Sequence, residues 1–220
     1  MANTVKKVNT VAIADIKNIN TITDSNLKKL NTLEFTGVTD AHTLIDTATS
    51  DGSDSSLGFT SGIDSTYDVY EFVLTNIHPE TADQDFEFQV NASGGSGFNE
   101  TITSTFFYAY HDNGDGSANV AYVTAEDQAQ GTAYQHLVPH QGGATIMALS
   151  GILTLYAPSD TTYVKHFMAR ISGNLVGSYS TDNHTAGYIN TTSAITQIDF
   201  KFASGEIQGG EIKMYGLSKT

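Results

Sequence analysis

The chain reads as all-β: an antiparallel β-sandwich or jelly roll preceded by a short repetitive N-terminal assembly segment. Three observations predict this. Eight or nine short apolar or alternating stretches follow one another with no convincing amphipathic helix between them, which argues for packed antiparallel sheets rather than a parallel sheet flanked by helices. The composition is rich in strand formers and turn residues, with 11 Tyr, 11 Phe and 20 Gly against 3 Pro. The first part of the chain is a three-fold repeat too short to bury its own apolar positions.

The repeat has a period of eleven. In register its copies are VKKVNTVAIAD, IKNINTITDSN and LKKLNTLEFTG, spanning 5–15, 16–26 and 27–37. Apolar residues occupy positions one, four and seven of each copy: Val5, Val8 and Val11, then Ile16, Ile19 and Ile22, then Leu27, Leu30 and Leu33. A unit this small needs stacked neighbours or another chain to cover it, so these nine residues are the expected partner-docking positions. An eleven-residue period is compatible with a helix in a right-handed supercoil. Short strands fit better, because β-branched residues and Asn-Thr sit where a helix is weakest, and position eleven holds the turn residues Asp15, Asn26 and Gly37.

The expected division is a docking segment over 1–37, a polar linker over 38–65 and a sandwich over 66–220. The linker reading rests on DTATSDGSDSSLG, which is small, acidic and unpatterned; the alternative is a surface loop held down by Leu57, Phe59 and Ile63. Strands are then expected over 69–76, which is apolar on both faces and ends at a His78-Pro79 turn, and around Phe86, Phe88 and Val90, which alternate with Glu87 and Gln89. A strand over 102–110 and its return over 119–124 flank HDNGDGS as a hairpin tip. The stretch 126–143 reads as a polar loop. Further strands are expected over 145–156, with a bulge at Gly151, and over 163–172, 187–191, 195–202 and 211–217.

Net charge excludes one class of partner. Residues 1–37 carry five Lys against three acidic residues, so their +2 leaves −16 on the remainder of a chain whose formal net charge is −14. Such a surface repels phosphate backbones, and no nucleic-acid partner is expected. There are no Cys residues, hence no disulfide framework or thiolate chemistry. No apolar run is long enough for a signal peptide or a membrane span, so a soluble chain with no membrane partner is expected.

Candidate chemical motifs are weak. Asp112, Asn113 and Asp115 in DNGDG offer oxygen ligands, but the twelfth position of a calcium loop counted from Asp112 is Val123. His136 and His140 are four apart, yet Pro139 stands between them and disfavours the helix that would place them on one face. The glycine-rich stretches lack the Lys-Ser/Thr of a phosphate loop, and no Ser sits in a G-x-S-x-G elbow. No catalytic, cofactor-binding or metal-binding residues are assigned, no cofactor is expected, and the chain is not read as an enzyme.

The leader VKKVNTVAIADIKNINTITDSNLKKLN resembles the segment that opens many bacteriophage minor structural and tail proteins. The region running from YDVYEFVLTNI through SGILTLYAP to ITQIDFKFASGEIQGGEIKMYGL is similar to small β-sandwich domains of phage tail-fibre and other virion structural proteins. The resemblance implies a virion component, a short tail fibre or adhesin. It would dock to other virion proteins through its N-terminal segment, form a homotrimer and display the sandwich for host attachment, with a host-surface glycan as a candidate ligand. Two alternatives are a decoration protein on the capsid and a stand-alone carbohydrate-binding module. Exposed aromatics on one sheet face would favour the module, and Tyr108, Tyr110, Tyr122 and Tyr134 are the candidates.

Overall fold

The computed structural model describes residues 42–143 and 145–217, together with the backbone of six two-residue strands between 7 and 34. The chain divides into two compact units, 1–41 and 42–220.

In the first unit each repeat copy holds one antiparallel hairpin. β1 (Lys7–Val8) pairs with β2 (Val11–Ala12), β3 (Asn18–Ile19) with β4 (Ile22–Thr23), and β5 (Lys29–Leu30) with β6 (Leu33–Glu34). Positions four and seven are direct register partners in every copy: Val8 opposite Val11, Ile19 opposite Ile22 and Leu30 opposite Leu33. The described backbone is strand rather than helix, but the pairing reverses between positions four and seven of each copy rather than at the position-eleven turn residues expected from sequence. The two positions between the paired strands are Asn-Thr in all three copies.

The second unit is all-β. Its strands are β7 (His42–Thr49), β8 (Leu57–Phe59), β9 (Val69–Pro79), β10 (Gln84–Ala92), β11 (Ile102–Asp112), β12 (Ala118–Tyr122), β13 (Ala129–Gly131), β14 (Gln135–Gln141), β15 (Leu149–Tyr156), β16 (Lys165–Leu175), β17 (Tyr179–Ile189), β18 (Ile195–Phe202) and β19 (Ile207–Leu217). Every pairing is antiparallel. A large layer runs β7-β19-β9-β15-β16-β17-β11-β12, and a small layer runs β14-β10-β18-β8. The two join at a single pair, Gln141 with Leu175, so one nearly closed sheet folds over on itself as a sandwich.

Alternation explains what fills it. On the small layer Phe86, Phe88 and Val90 stand opposite Phe202, Phe200 and Ile198 on one face. Their rings meet the other layer at Phe72 and Phe167, with centroids 5.6 Å (Phe72–Phe200) and 5.0 Å (Phe88–Phe167) apart. Phe59 closes the same core against Phe72 at 5.6 Å. Tilted and edge-on rings at these spacings combine large apolar burial with favourable quadrupole geometry.

Three expectations are corrected. Of the expected linker 38–65, the described part 42–65 belongs to the sandwich: β7 pairs along the last strand and packs Ile45 and Ala48 against the core, while Leu57, Phe59 and Ile63 are buried and β8 is an edge strand of the small layer. Its short polar side chains cover an edge, a role that needs no continuous apolar pattern. The polar loop over 126–143 contains β14, with Leu137 and Val138 fully buried between buried glutamines Gln135 and Gln141. The strand expected over 187–191 is an eleven-residue strand beginning at Tyr179, whose inward side chains Thr181, Asn183 and Thr185 are polar and buried.

The bulge expected at Gly151 sits on the neighbouring strand instead. β9 takes three residues, Leu74 to Ile77, where β15 takes two and where β19 takes two on the other side. Asn76 absorbs the extra residue at φ 52°. Gly151 is still required, because a Cβ there would lie 2.4 Å from the Arg170 carbonyl oxygen.

Candidate functional site

The residues expected from sequence to dock a partner are placed only in part. Val8, Val11, Ile19, Ile22, Leu30 and Leu33 lie on the paired strands described above; Val5, Ile16 and Leu27 lie outside the described residues. A two-stranded hairpin of this length is marginal on its own, so its stability has to come from what covers it.

The four candidate tyrosines do not share a face. Tyr122 is 54% exposed on the outside of the large layer, its hydroxyl donating to Asp127. Tyr134 belongs to a polar network on the outside of the small layer. Tyr108 and Tyr110 point to the inner side, because they alternate with the outward Phe107 and His111 and stand opposite the inward Asn183 and Thr181.

The network on the small layer follows from the same alternation that builds the core. Glu87 and Gln89 of β10, opposite Lys201 and Asp199 of β18, face away from the phenylalanines. The segment between β12 and β14 lies over them. Gln89 donates from its amide to the carbonyls of Glu100, Thr132 and Ala133. The Tyr134 hydroxyl donates to Asp199 Oδ2 at 2.9 Å, and Lys201 Nζ lies 4.3 Å from the centre of the Tyr134 ring. His136 Nδ1 is hydrogen-bonded to Glu126 Oε2 at 2.5 Å, while its Nε2 is 3.5 Å from Glu87 and 3.9 Å from Asp85. Burial raises the Glu87 and Asp199 carboxyls above their ordinary range, and burial beside Asp199 raises the Tyr134 phenol. The hydrogen bond to Glu126 raises the His136 imidazole. The groups satisfy one another's hydrogen bonds across three segments, which is the chemistry of a polar clamp.

A second site lies on the inner side. Phe106, Tyr108 and Tyr110 of β11 and Tyr179 of β17 form a row with centroid spacings of 6.0, 5.6 and 5.8 Å. The three tyrosines open onto a cleft of about 300 Å³ that also meets Ser117, His140 and Val176. His140 is held there by three bonds. Its Nδ1 is 2.7 Å from Asp83 Oδ1, its amide donates to Asp85, and its carbonyl accepts from the Val176 amide at 2.9 Å. His140 and Asp83 are both left-handed, at φ 50° and 62°. The two histidines four apart in sequence thus serve different sites, from one strand rather than a loop.

The aspartates of DNGDG shape a turn. Asp112 Oδ1 accepts the Gly116 amide at 2.7 Å, and Asp115 takes φ 57° at the hairpin tip. Among the described residues no group of three or more His, Asp and Glu side chains is arranged to hold a metal ion. A broad open groove of about 670 Å³ crosses the outside of the large layer, where Arg170 forms a bidentate pair with Asp182 (Nη2 to Oδ2, 2.7 Å) beside Ile152 and Ser172.

Sequence reading missed Tyr179, Asn183 and the Asp83–His140 pair. Tyr179 opens a strand whose inward positions are polar, so no alternation announced it; Asp83 and His140 are 57 residues apart and meet only through the register of β10 and β14. Comparison with protein-family models, curated proteins and solved structures finds no match to this chain.

Proposed function

We propose that the chain is a structural and attachment protein of a virus particle. Residues 1–37 dock it, as a homotrimer, to other virion proteins, and the sandwich is displayed for contact with a host surface. The observation that carries this reading is the repeat. Three hairpins in three copies place an apolar pair at the same register positions, in a unit distinct from a sandwich that already has its own core. Identical short units with unsatisfied apolar pairs are suited to symmetric association. The charge division supports it too, since a basic segment on an acidic chain adds attraction between copies or to an acidic partner.

Deletion of 1–37 tests the reading. The expected result is a 38–220 fragment with a cooperative melt and β-type circular dichroism that no longer enters particles. A fragment that is unfolded, or one that is still incorporated, overturns it.

A further inference from the structure

The inner face of the large layer changes character along its length. Around Phe72, Phe167 and Ile171 it is apolar and covered by the small layer. Past Phe106 it carries Tyr108, Tyr110 and Tyr179, half-buried, with Asn183 and Thr181 directly across from Tyr108 and Tyr110. The cleft they line is about 300 Å³, the size of a small-molecule site that takes one or two rings.

Three features define the ligand chemistry. The ring faces of Tyr108, Tyr110 and Tyr179 are set at 46° and 78° to one another, a wall for a flat C–H surface rather than for a long chain. Hydrogen-bonding capacity is unspent: the side-chain hydrogen bonds of the described residues leave the three phenols unused. Charge then narrows the class. Among the residues lining the cleft the one charged-type side chain is His140, already paired with Asp83, so no uncompensated charge is offered to an ionic ligand.

We infer that this cleft binds a neutral sugar ring, stacked against Tyr110 and Tyr179, with its hydroxyls hydrogen-bonded by the tyrosine phenols and the His140 imidazole. The inference names the ligand of the attachment reading and rests on it, but the cleft belongs to the 42–220 unit and binds as a single site whether or not the chain assembles.

The test uses the full-length chain and a panel of soluble neutral di- and trisaccharides of glucose, galactose and N-acetylglucosamine. Binding is read by saturation-transfer NMR and titration calorimetry. At least one sugar is expected to bind, with Tyr110→Ala and Tyr179→Ala each lowering affinity tenfold or more. Tyr163→Ala, at an exposed tyrosine away from the cleft, should leave affinity unchanged. Tyr179 opens its strand, so its variant reports even if Tyr110→Ala fails to fold. Absence of binding across the panel at millimolar sugar, unchanged affinity in folded Tyr179→Ala, or binding of tetramethylammonium in place of sugar would each overturn the inference. Ile19→Asp separates the two claims: it should abolish assembly and leave sugar affinity intact, so a variant that still assembles counts against the docking reading alone, and a parent chain that assembles without binding sugar counts against the cleft alone.

Discussion

The two units of this chain use the same device, apolar residues in cross-strand register, and reach opposite outcomes. In the sandwich Phe88 stands opposite Phe200, and a second layer arrives to bury both completely. In the repeat Ile19 stands opposite Ile22 on strands two residues long, paired only to each other. Strands of up to eleven residues can supply their own partner layer; a two-residue hairpin cannot. The contrast teaches that register sets which residues share a face, while strand length and layer number decide whether the cover comes from the same chain or from another.

The comparison can be broken at either end. The largest effect is expected from Ile19→Asp, where a carboxylate would enter the covered position of the middle copy at a cost of several kcal/mol. Sedimentation should show assembly lost while the melting temperature of the sandwich is unchanged. Next comes Phe200→Ala. This ring touches Phe72, Phe86 and Phe88 and is fully buried, so truncation should cost the sandwich roughly 3 to 5 kcal/mol in denaturant unfolding and leave any trimer contacts of the repeat in place. A smaller loss, about 2 kcal/mol, is expected for His136→Gln, which leaves the carboxylates of Glu126 and Glu87 facing each other without their shared cation.

The same clamp sets a pH dependence. His136 and His140 have folded pKa values raised above 6.5, the first by its hydrogen bond to Glu126 and the second by its bond to Asp83. The folded state therefore holds these protons more tightly, and the stability they contribute is complete below about pH 6.5 and is lost as pH rises through the folded values. Glu87 and Asp199, raised by burial, act with the same sign from 4.5 and 3.8 upward. Asp182, lowered by its hydrogen bond to Arg170, acts oppositely: its contribution is present above 3.8 and lost as pH falls. The melting temperature should fall from pH 6 to pH 8, and His136→Gln should flatten most of that slope. The smallest effect is expected from Lys17→Ala, which removes one charge, worth roughly 0 to 1 kcal/mol for a solvated pair, and should leave assembly nearly intact.

Much of the architecture was legible where side chains obeyed period two. Phe86, Phe88 and Val90, and Ile198, Phe200 and Phe202, announced two central strands and their inward faces, and the hairpin closed by DNGDG fell at its expected tip. The eleven-residue period marked short strands in each copy, but set the turn at position eleven, whereas the paired strands lie on either side of Asn-Thr at positions five and six. What stayed hidden was every place where the interior is polar. Gln135 and Gln141 on β14, and Thr181, Asn183 and Thr185 on β17, are buried because each finds backbone or side-chain partners supplied by the fold. Burial of that kind depends on satisfied hydrogen bonds and leaves no hydrophobic period to read. The cleft was half visible for the same reason: Tyr108 and Tyr110 stand on a recognisable strand, whereas Tyr179 and His140 reach it through pairing registers.

Sedimentation of the full-length chain beside Ile19→Asp, at micromolar concentration, tests the central claim most directly. The account predicts a trimer for the parent chain and a folded monomer for the variant, with the sandwich melting at the same temperature in both. A parent chain that stays monomeric, or an Ile19→Asp variant that still forms the trimer, would contradict it.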